Sequence, residues 1–554
     1  MSGLRAWRIA TVVLSVALAA TCAVAWPHLR FDGSMLALPR LLATHVSAAP
    51  MSGDGGILLG LKGLLTLAVL LGALPLAASC YQFALIGLHR RAHHYDAARP
   101  YFPRTAVVVP AWNEAAVIGP TIDRLLAMEY PAASVRVYVV DDASTDDTPL
   151  VVKHKAREYP GRAFHVRREK GGQGKAHTLN HGLRHILAED WAQAILIIDA
   201  DVIFEPDALA RMTRHLADPT VGAVTAYIKE GSEPGNYLTR FIGYEYITAQ
   251  AASRRAQNVL GVLACLAGGA QLLSRDNLEA IGGQIDTSSL AEDTFTTFNT
   301  QRGGRRALFD GSATVWAEEP PDILGLWKQR LRWARGNVQV TLRFRDLWFR
   351  PDRDARLGGI GFGFLWFAIF LMPVLILSAC VGLVTLFFID FPLSWALFRC
   401  FWNFHAVTYL FVTLFSLLID PQTARRTWIQ GFLFPGALSL GIIAYSCAPP
   451  LFEIPGRRVL SLLAVDTQVL ALRSLILFMY AWLGLSMLAA YGAKVLDSRT
   501  KRRGLATAGV YLAGYGPLLC AITMASYVYE ARGAEMKWDK TNKVGTVSAA
   551  GARK

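Results

Sequence analysis

The chain has 554 residues, more than one ordinary domain needs; 53% are hydrophobic and only 18% charged, against about 25% in a typical soluble domain. That composition excludes intrinsic disorder and argues against a purely soluble protein. The formal net charge is +14, and in so apolar a chain the excess reads as basic residues at membrane boundaries rather than as a nucleic-acid-binding surface. Of the cysteines only Cys265 lies outside an apolar run and no C-x-x-C pair occurs, so neither a disulfide framework nor a cysteine metal site is expected.

Crossing about 30 Å of hydrocarbon takes roughly 20 helical residues. The uncharged stretches long enough are Ile9–Trp26, Gly63–Leu88, Ile360–Ile389, Cys400–Ile419, Thr427–Phe452, Ser474–Ala493 and Gly504–Tyr529. Amides in lipid must bond internally, so these are expected to be helices. The first reads as a retained helix; a cleaved signal peptide is the other reading, because Arg5 and Arg8 precede it and Ala23-Val24-Ala25 resembles a cleavage site. Residues 1–103 thus form an N-terminal membrane region with two helices. Arg5 and Arg8 before the first span, and Arg90, Arg91, Arg99 and Arg104 after the second, put the segment 104–350 in the cytoplasm. His89, His93 and His94 sit in that basic juxtamembrane stretch and read as interface residues rather than metal ligands.

Between residues 104 and 350 short β-rich runs alternate with helical patterns. Strands are expected at Thr105–Val109, Val135–Val140, Ala194–Ile198 and Gly222–Ala226, and helices at Thr121–Met128, Thr148–Tyr159, Lys175–Ala188 and Glu205–Leu216. Such alternation implies an α/β domain with a doubly wound, mostly parallel sheet that binds ligands at the carboxyl ends of its strands. Acidic residues stand at those ends. Val139-Val140 runs into Asp141-Asp142, and Ile197-Ile198 runs into Asp199-Ala200-Asp201. Alternate strand residues point the same way, so Asp199 and Asp201 can converge, and a hard cation such as Mg²⁺ or Mn²⁺ relieves the repulsion of two close carboxylates. A third pair, Glu292-Asp293, opens a helical pattern. Farther on, Gln329-Arg330-Leu331-Arg332-Trp333 lies in the amphipathic, interfacial stretch Ile323–Phe344. Gln329 and Arg332 share a helical face, Arg offers a donor fork suited to phosphate, and Trp suits the apolar side of a sugar ring. Lys170–Lys175 imitates a Walker loop but has Glu169 for the first glycine and Ala176 for the hydroxyl residue, which excludes that motif. A glycine-rich loop with Lys175 could still approach a diphosphate.

Residues 351–530 form a C-terminal membrane region of four or five helices. Its weakest stretch, Thr427–Phe452, is broken by Pro435 and Pro449-Pro450 and reads as interfacial or re-entrant. Lys494, Arg499, Lys501, Arg502 and Arg503 precede the last stretch, whereas Lys537, Lys540 and Lys543 follow it in the basic tail 531–554. One crossing cannot keep both groups inside, so six or seven spans remain open. The end after Gly545 reads as disordered.

Taken in order, Pro110-Ala111-Trp112-Asn113-Glu114, Asp141-Asp142, Gly174-Lys175, Asp199-Ala200-Asp201, Glu292-Asp293 and Gln329-Arg330-Leu331-Arg332-Trp333 resemble the membrane-bound processive family-2 glycosyltransferases. These are the cellulose, chitin, hyaluronan and poly-N-acetylglucosamine synthases, and the stretch Leu326–Ala334 is most similar to the last. The base motif reads Ala-Glu-Asp here, where many relatives have Thr-Glu-Asp. The resemblance implies an inverting enzyme that polymerises sugar from a UDP-sugar into a β-linked polysaccharide. Asp142, with Asp141, Asn113 and Glu114, would hold the nucleoside. Asp201, helped by Asp199, would bind Mg²⁺ or Mn²⁺. Lys175 and Arg332 would balance phosphate charge, with Gln329 beside them. Trp333 would meet the acceptor, and Asp293, flanked by Glu292, would be the general base. Trp366, Trp402, Tyr409 and Trp482 are candidates to line a polymer path. The implied partners are the UDP-sugar, the growing polysaccharide and membrane lipids, with room for accessory membrane or periplasmic export subunits and none for nucleic acid. A non-processive enzyme that glycosylates a lipid would share the same motifs. A transporter with a nucleotide-binding domain is disfavoured by the missing Walker loop.

Overall fold

The computed structural model describes residues 53–89, 98–350, 356–449, 452, 468–499, 503–536 and 547. The expectations for Ile9–Trp26, Arg5, Arg8, Arg90, Arg91, His93, His94, Lys501, Arg502, Lys537, Lys540, Lys543 and the terminal tail other than Val547, which bridges Ser232, fall outside the described residues. Two compact units emerge: one gathers the described residues up to Tyr81 with Leu365–Met524, the other Gln82–Phe364 with those from Ala525 on.

The second unit is built on an eight-stranded sheet of order β3-β2-β1-β4-β7-β6-β8-β5. Its strands are β1 (Thr105–Ala111), β2 (Val135–Asp141), β3 (Ala163–Arg167), β4 (Ala194–Ile197), β5 (Ile203–Phe204), β6 (Val221–Glu230), β7 (Gln271–Ser274) and β8 (Arg306–Ala317). Strands β1, β2 and β4 are β-branched, apolar and buried nearly throughout, which suits strands covered on both faces by helices. The run β3-β2-β1-β4 is parallel, as the alternating pattern requires. The sheet then becomes mixed: β7 is antiparallel to both β4 and β6, while β6 and β8 run parallel to each other.

The strands that the periodicity did not foretell have identifiable reasons. β3 (AFHVR) and β7 (QLLS) are short and part polar, and β5 has two residues. β8 contains the sequence Asp310-Gly311-Ser312, where a register shift against β6 kinks the ladder; Asp310 is held there by His215 at 2.8 Å and Arg214 at 2.9 Å. The first helix after β1 begins at Ala115 rather than at Thr121; Pro120 lies in its interior, and a proline there ordinarily marks a start or a break, which is why the pattern pointed to the later start.

In the other unit, Met372–Ile389, Phe391–Ile419 and Leu472–Ser498 are long and apolar enough to cross a membrane, as is Gly56–His89, which runs on into the second unit. Lys62 pairs with Asp390 at 2.9 Å, so neither charge is left alone among apolar helices. Thr427–Phe452, expected to be the weakest span, is in fact the pair Pro421–Phe432 and Ala437–Cys447, bent by 74°. Gly504–Tyr529 is also broken, into Gly504–Ala513 and Tyr515–Ala531 with a bend of 93°. The described residues thus hold four unbroken candidate spans, or six if each bent pair is one. The two breaks meet backbone to backbone at Gly436 and Gly514, both at positive φ: a Cβ on either would stand 2.5 Å from the other segment's chain. Backbone freed by a broken helix must be satisfied inside protein. Tyr409 does so, donating its hydroxyl to Gly431 O at 2.7 Å, and Gly516 N donates to Phe434 O at 3.1 Å. Trp402 and Trp482 are buried, the latter bonded to Ser439 at 3.1 Å.

Candidate functional site

Register fixes where the site forms. Ala111 of β1 pairs with Asp141 of β2, Asp142 N donates to Ala111 O at 2.8 Å, and Ile198 N donates to Val108 O at 3.1 Å. The residues that follow these strands, Trp112, Asp142 and Asp199, therefore emerge at one edge of the sheet. There they border a cavity of about 560 Å³. Its lining includes Glu114, Asp142, Lys175, Asp199 and Asp201, together with Glu292, Asp293, Gln329, Arg332 and Trp333. The acidic side chains expected to gather from three distant stretches thus share one cleft.

Asn113 and Asp141 are not in that lining. Asp141 points into the fold, fully buried, accepting from Ser144 N at 2.8 Å and facing His165 at 3.3 Å and Arg167 at 3.2 Å. A strand-end Asp-Asp pair must send alternate side chains to opposite faces, so only one of the two can meet a ligand. Asn113 shapes the rim: its Oδ1 accepts from Thr145 N at 2.9 Å, and its own N–H donates to Ser144 Oγ at 3.0 Å. Asp142 is itself partly committed, paired with Arg168 and accepting from Gly172 N at 2.9 Å. It thereby ties the glycine loop to the strand end. Gly171 packs so closely there that a Cβ would lie 2.1 Å from Asp142 O.

Opposite lies a buried cation between acids. Lys175 opens the helix Lys175–Leu187, and its Nζ sits 2.6 Å from Asp199, 3.6 Å from Glu292 and 3.0 Å from Gly268 O. Burial works to lower its pKa, but the charges of Asp199 and Glu292 outweigh that and hold it above the usual lysine range. Burial likewise pushes Glu292 up, against the attraction of Lys175 and with the neighbouring charge of Asp293. Glu292 and Asp293 occupy the first turn of the helix Glu292–Arg302, where the macrodipole favours negative charge. Asp293 is only half-buried. Between these groups run Gly268 and Gly269. A Cβ on Gly268 would stand 3.2 Å from Asp293 Oδ2, and one on Gly269 3.4 Å from Asp199 Oδ2. The missing side chains leave a cradle among the carboxylates. No cluster of three metal-ligating side chains occurs among the described residues. The Asp199/Asp201 pair beside this cradle nonetheless fits Mg²⁺ or Mn²⁺, ions that take one or two carboxylates and complete their shells with water and phosphate oxygens.

The helix Ile323–Arg343 presents Gln329, Arg332 and Trp333 to the cavity. Trp333 is 39% exposed, open to a ligand, whereas Arg330 is buried in a bidentate pair with Glu245 at 3.0 and 3.2 Å. Gln329 is held on both sides, donating to Glu319 at 3.2 Å and accepting from Arg330 at 2.5 Å. Tyr246 donates to Glu319 at 2.5 Å and closes the network. Removing one partner from such a buried pair costs about 3–5 kcal/mol, so this wiring sets the helix firmly.

Sequence reasoning missed several lining residues. Trp112, 43% exposed, stood in a quoted motif without a role of its own. Glu245, Tyr246, Gln250 and Arg254 reach the cavity from the helix Tyr237–Tyr246, the π-helical turn Ile247–Ala252 and its continuation. A π-turn shifts side chains off the 3.6-residue period, so no periodic signal was available. Cys265 also lines the cavity, its thiol pushed up by burial. The acidic pair Glu318-Glu319, ahead of Pro320-Pro321, was the one visible cue left unused.

Residues 103–336 match the family described as Glycosyltransferase like family 2. The chain is 31% identical to the probable glycosyltransferase YdaM of Bacillus subtilis, over 53% of this chain and 68% of that protein. It is 31% identical to a beta-monoglucosyldiacylglycerol synthase of Synechocystis sp., over 46% of this chain and 51% of that one. To a poly-beta-1,6-N-acetyl-D-glucosamine synthase of Staphylococcus epidermidis it is 26% identical, over 44% of this chain and 56% of the other. The chain thus spans between about half and two thirds of the curated relatives it matches.

Proposed function

The chain belongs to glycosyltransferase family 2, and from that premise we propose that it is an inverting, metal-dependent transferase that builds a β-linked polysaccharide from a UDP-sugar and moves it across a bacterial-type inner membrane, with its catalytic domain in the cytoplasm. UDP-N-acetylglucosamine is the first choice of donor and UDP-glucose the second. The observation that carries this reading is the shared cleft: Lys175 lies within 2.6 Å of Asp199 and 3.6 Å of Glu292, joining the Asp-x-Asp end and the Glu-Asp end of one cavity. Inversion needs one in-line displacement, with a base on the acceptor side and a stabilised leaving group on the other.

In this reading Asp293 accepts the proton of the acceptor hydroxyl while that oxygen bonds to the anomeric carbon. The bond from that carbon to the diphosphate breaks, and UDP leaves. Lys175 and Arg332 offset the charge growing on the diphosphate. Asp142 and Glu114 meet the nucleoside, Asn113 ties their two loops together through Ser144 and Thr145, and Trp333 supports the acceptor sugar. A divalent cation held by Asp201 and Asp199 would supply further charge neutralisation at the diphosphate.

A second reading, transfer of one sugar to a membrane lipid, is favoured by the 31% identity to the diacylglycerol-glycosylating relative. The two separate by product. Full-length protein in lipid discs, offered a panel of UDP-sugars with Mg²⁺ or Mn²⁺, is expected to yield a polymer ladder cut by a linkage-specific hydrolase. A single glycolipid band would establish the lipid transferase instead. Excess chelator is expected to stop turnover in either case, and undiminished turnover would remove the metal from the scheme.

A further inference from the structure

A buried arrangement outside the proposed catalytic groups lies toward the far end of the helix that carries Gln329, Arg332 and Trp333. Arg335 and Gln339 stand four residues apart on one face of that helix. Both grip Glu530, near the end of the helix Tyr515–Ala531: Arg335 Nε donates to Oε1 at 2.5 Å and Gln339 Nε2 to Oε2 at 3.2 Å. The two terminal guanidinium nitrogens of Arg335, Nη2 and Nη1, donate to Ala534 O at 2.6 Å and Glu535 O at 3.1 Å, beyond the helix end. The other half of the Gln339 amide faces away from Glu530. Its Oε1 accepts from Leu290 N at 3.0 Å and Ser289 Oγ at 3.1 Å. A backbone N–H can only donate, so this fixes which end of the amide faces the loop.

We infer that Gln339, clamped by Glu530, is a positioning residue that sets the loop Ser289–Ala291 and thereby aims the Asp293 carboxylate into the cavity; the inference rests on the reading of Asp293 as base. The chain from Gln339 to Asp293 has little slack. Ser289 Oγ, bonded to Gln339, also accepts from Ala291 N at 3.0 Å, and Ala291 O accepts the first helical bond, from Phe295 N at 3.0 Å. The helix presses on the same loop: a Cβ on Gly336 would lie 2.5 Å from that of Ala291. Leu290 and Ala291 themselves line the cavity beside Asp293. None of these contacts involves Asp142, Lys175 or Asp199, so a loosened clamp should disturb the base and leave donor binding alone. A shift of about 1 Å in a reacting group can cost on the order of 10²-fold in rate.

The test uses the full-length protein in lipid discs with the UDP-sugar that the wild type turns over. Gln339→Met keeps the side chain's bulk and removes its donor and acceptor. It is expected to lower kcat about 10- to 100-fold, with donor KM and UDP affinity within about twofold, and to speed hydrogen exchange at the Leu290 amide. Glu530→Ala should do the same, and Glu530→Gln, which keeps one acceptor oxygen but turns an NH2 toward the other partner's donor, should recover only part of the lost rate. Wild-type kcat in Gln339→Met, unchanged exchange at Leu290, or a raised KM with kcat retained would each overturn the inference. Asp293→Asn in parallel separates the failures: full turnover there sinks the base assignment, whereas an inactive Asp293→Asn beside a fully active Gln339→Met sinks only the clamp.

Discussion

Asp293→Asn is expected to lower sugar transfer by about 10²–10⁴-fold, the usual worth of a positioned general base, while UDP binds with its wild-type affinity. The substitution changes the shape of the side chain little but removes its ability to take a proton. The position suits a base because it is half-buried, at the mouth of a helix N-terminus, and open to the cavity. Glu292, its neighbour, suits the task less: it is 5% exposed and lies against Lys175. Glu292→Gln should therefore weaken the hold on Lys175 and slow turnover without abolishing it. Single-turnover measurements at saturating donor, with UDP titrated separately by calorimetry, distinguish the two. An Asp293→Asn protein that transfers sugar normally, or one that no longer binds UDP, would remove Asp293 from the role of base.

The contrast between Asp293 and Gln339 shows which parts of such a site are written locally. Asp142, Asp199 and Asp201 were legible because a buried parallel strand announces itself by an apolar run, and the residue after it must face the ligand edge. Asp141 illustrates the limit of that logic. The motif names two acids, but the pleat turns one inward, and only the position of His165 and Arg167 decides which. Of the far half of the sheet β6 was legible, but β7 and β8 were hidden, since their pairing depends on partners far along the chain and β8 is interrupted by the bulge near Gly311. The wiring behind the cavity was illegible for the same reason. Arg330 finds Glu245 across 85 residues and Gln339 finds Glu530 across 191, separations over which neither spacing nor periodicity carries information. Seen from the sequence, Gln329 and Arg332 were the functional pair and Arg330 an incidental basic residue. In the fold Arg330 holds the helix so that its neighbours can face the cleft.

Lys175→Met is expected to lower turnover by about 10²–10³-fold, comparable to removing one preorganised donor from a site of developing charge, and unlike Asp293→Asn it should also weaken UDP binding. Two losses combine. The charge that the proposed reading sets against the diphosphate is gone, and Asp199 and Glu292 are left to repel each other across the space that the ammonium filled, 2.6 and 3.6 Å from its Nζ. Their repulsion raises the cost of keeping both ionised, so part of the binding loss should be recovered at lower pH, where one carboxyl takes a proton. The direction follows from Glu292, whose pKa burial already raises and which would lose the lysine that now opposes that rise. Lys175→Arg should keep the charge but misplace it, because a planar fork cannot occupy the compact pocket beneath Gly268 O that Nζ reaches at 3.0 Å. Titrating UDP into both variants between mildly acidic and neutral pH reads the effect directly. Wild-type affinity in Lys175→Met at neutral pH would mean that the diphosphate lies elsewhere in the cleft.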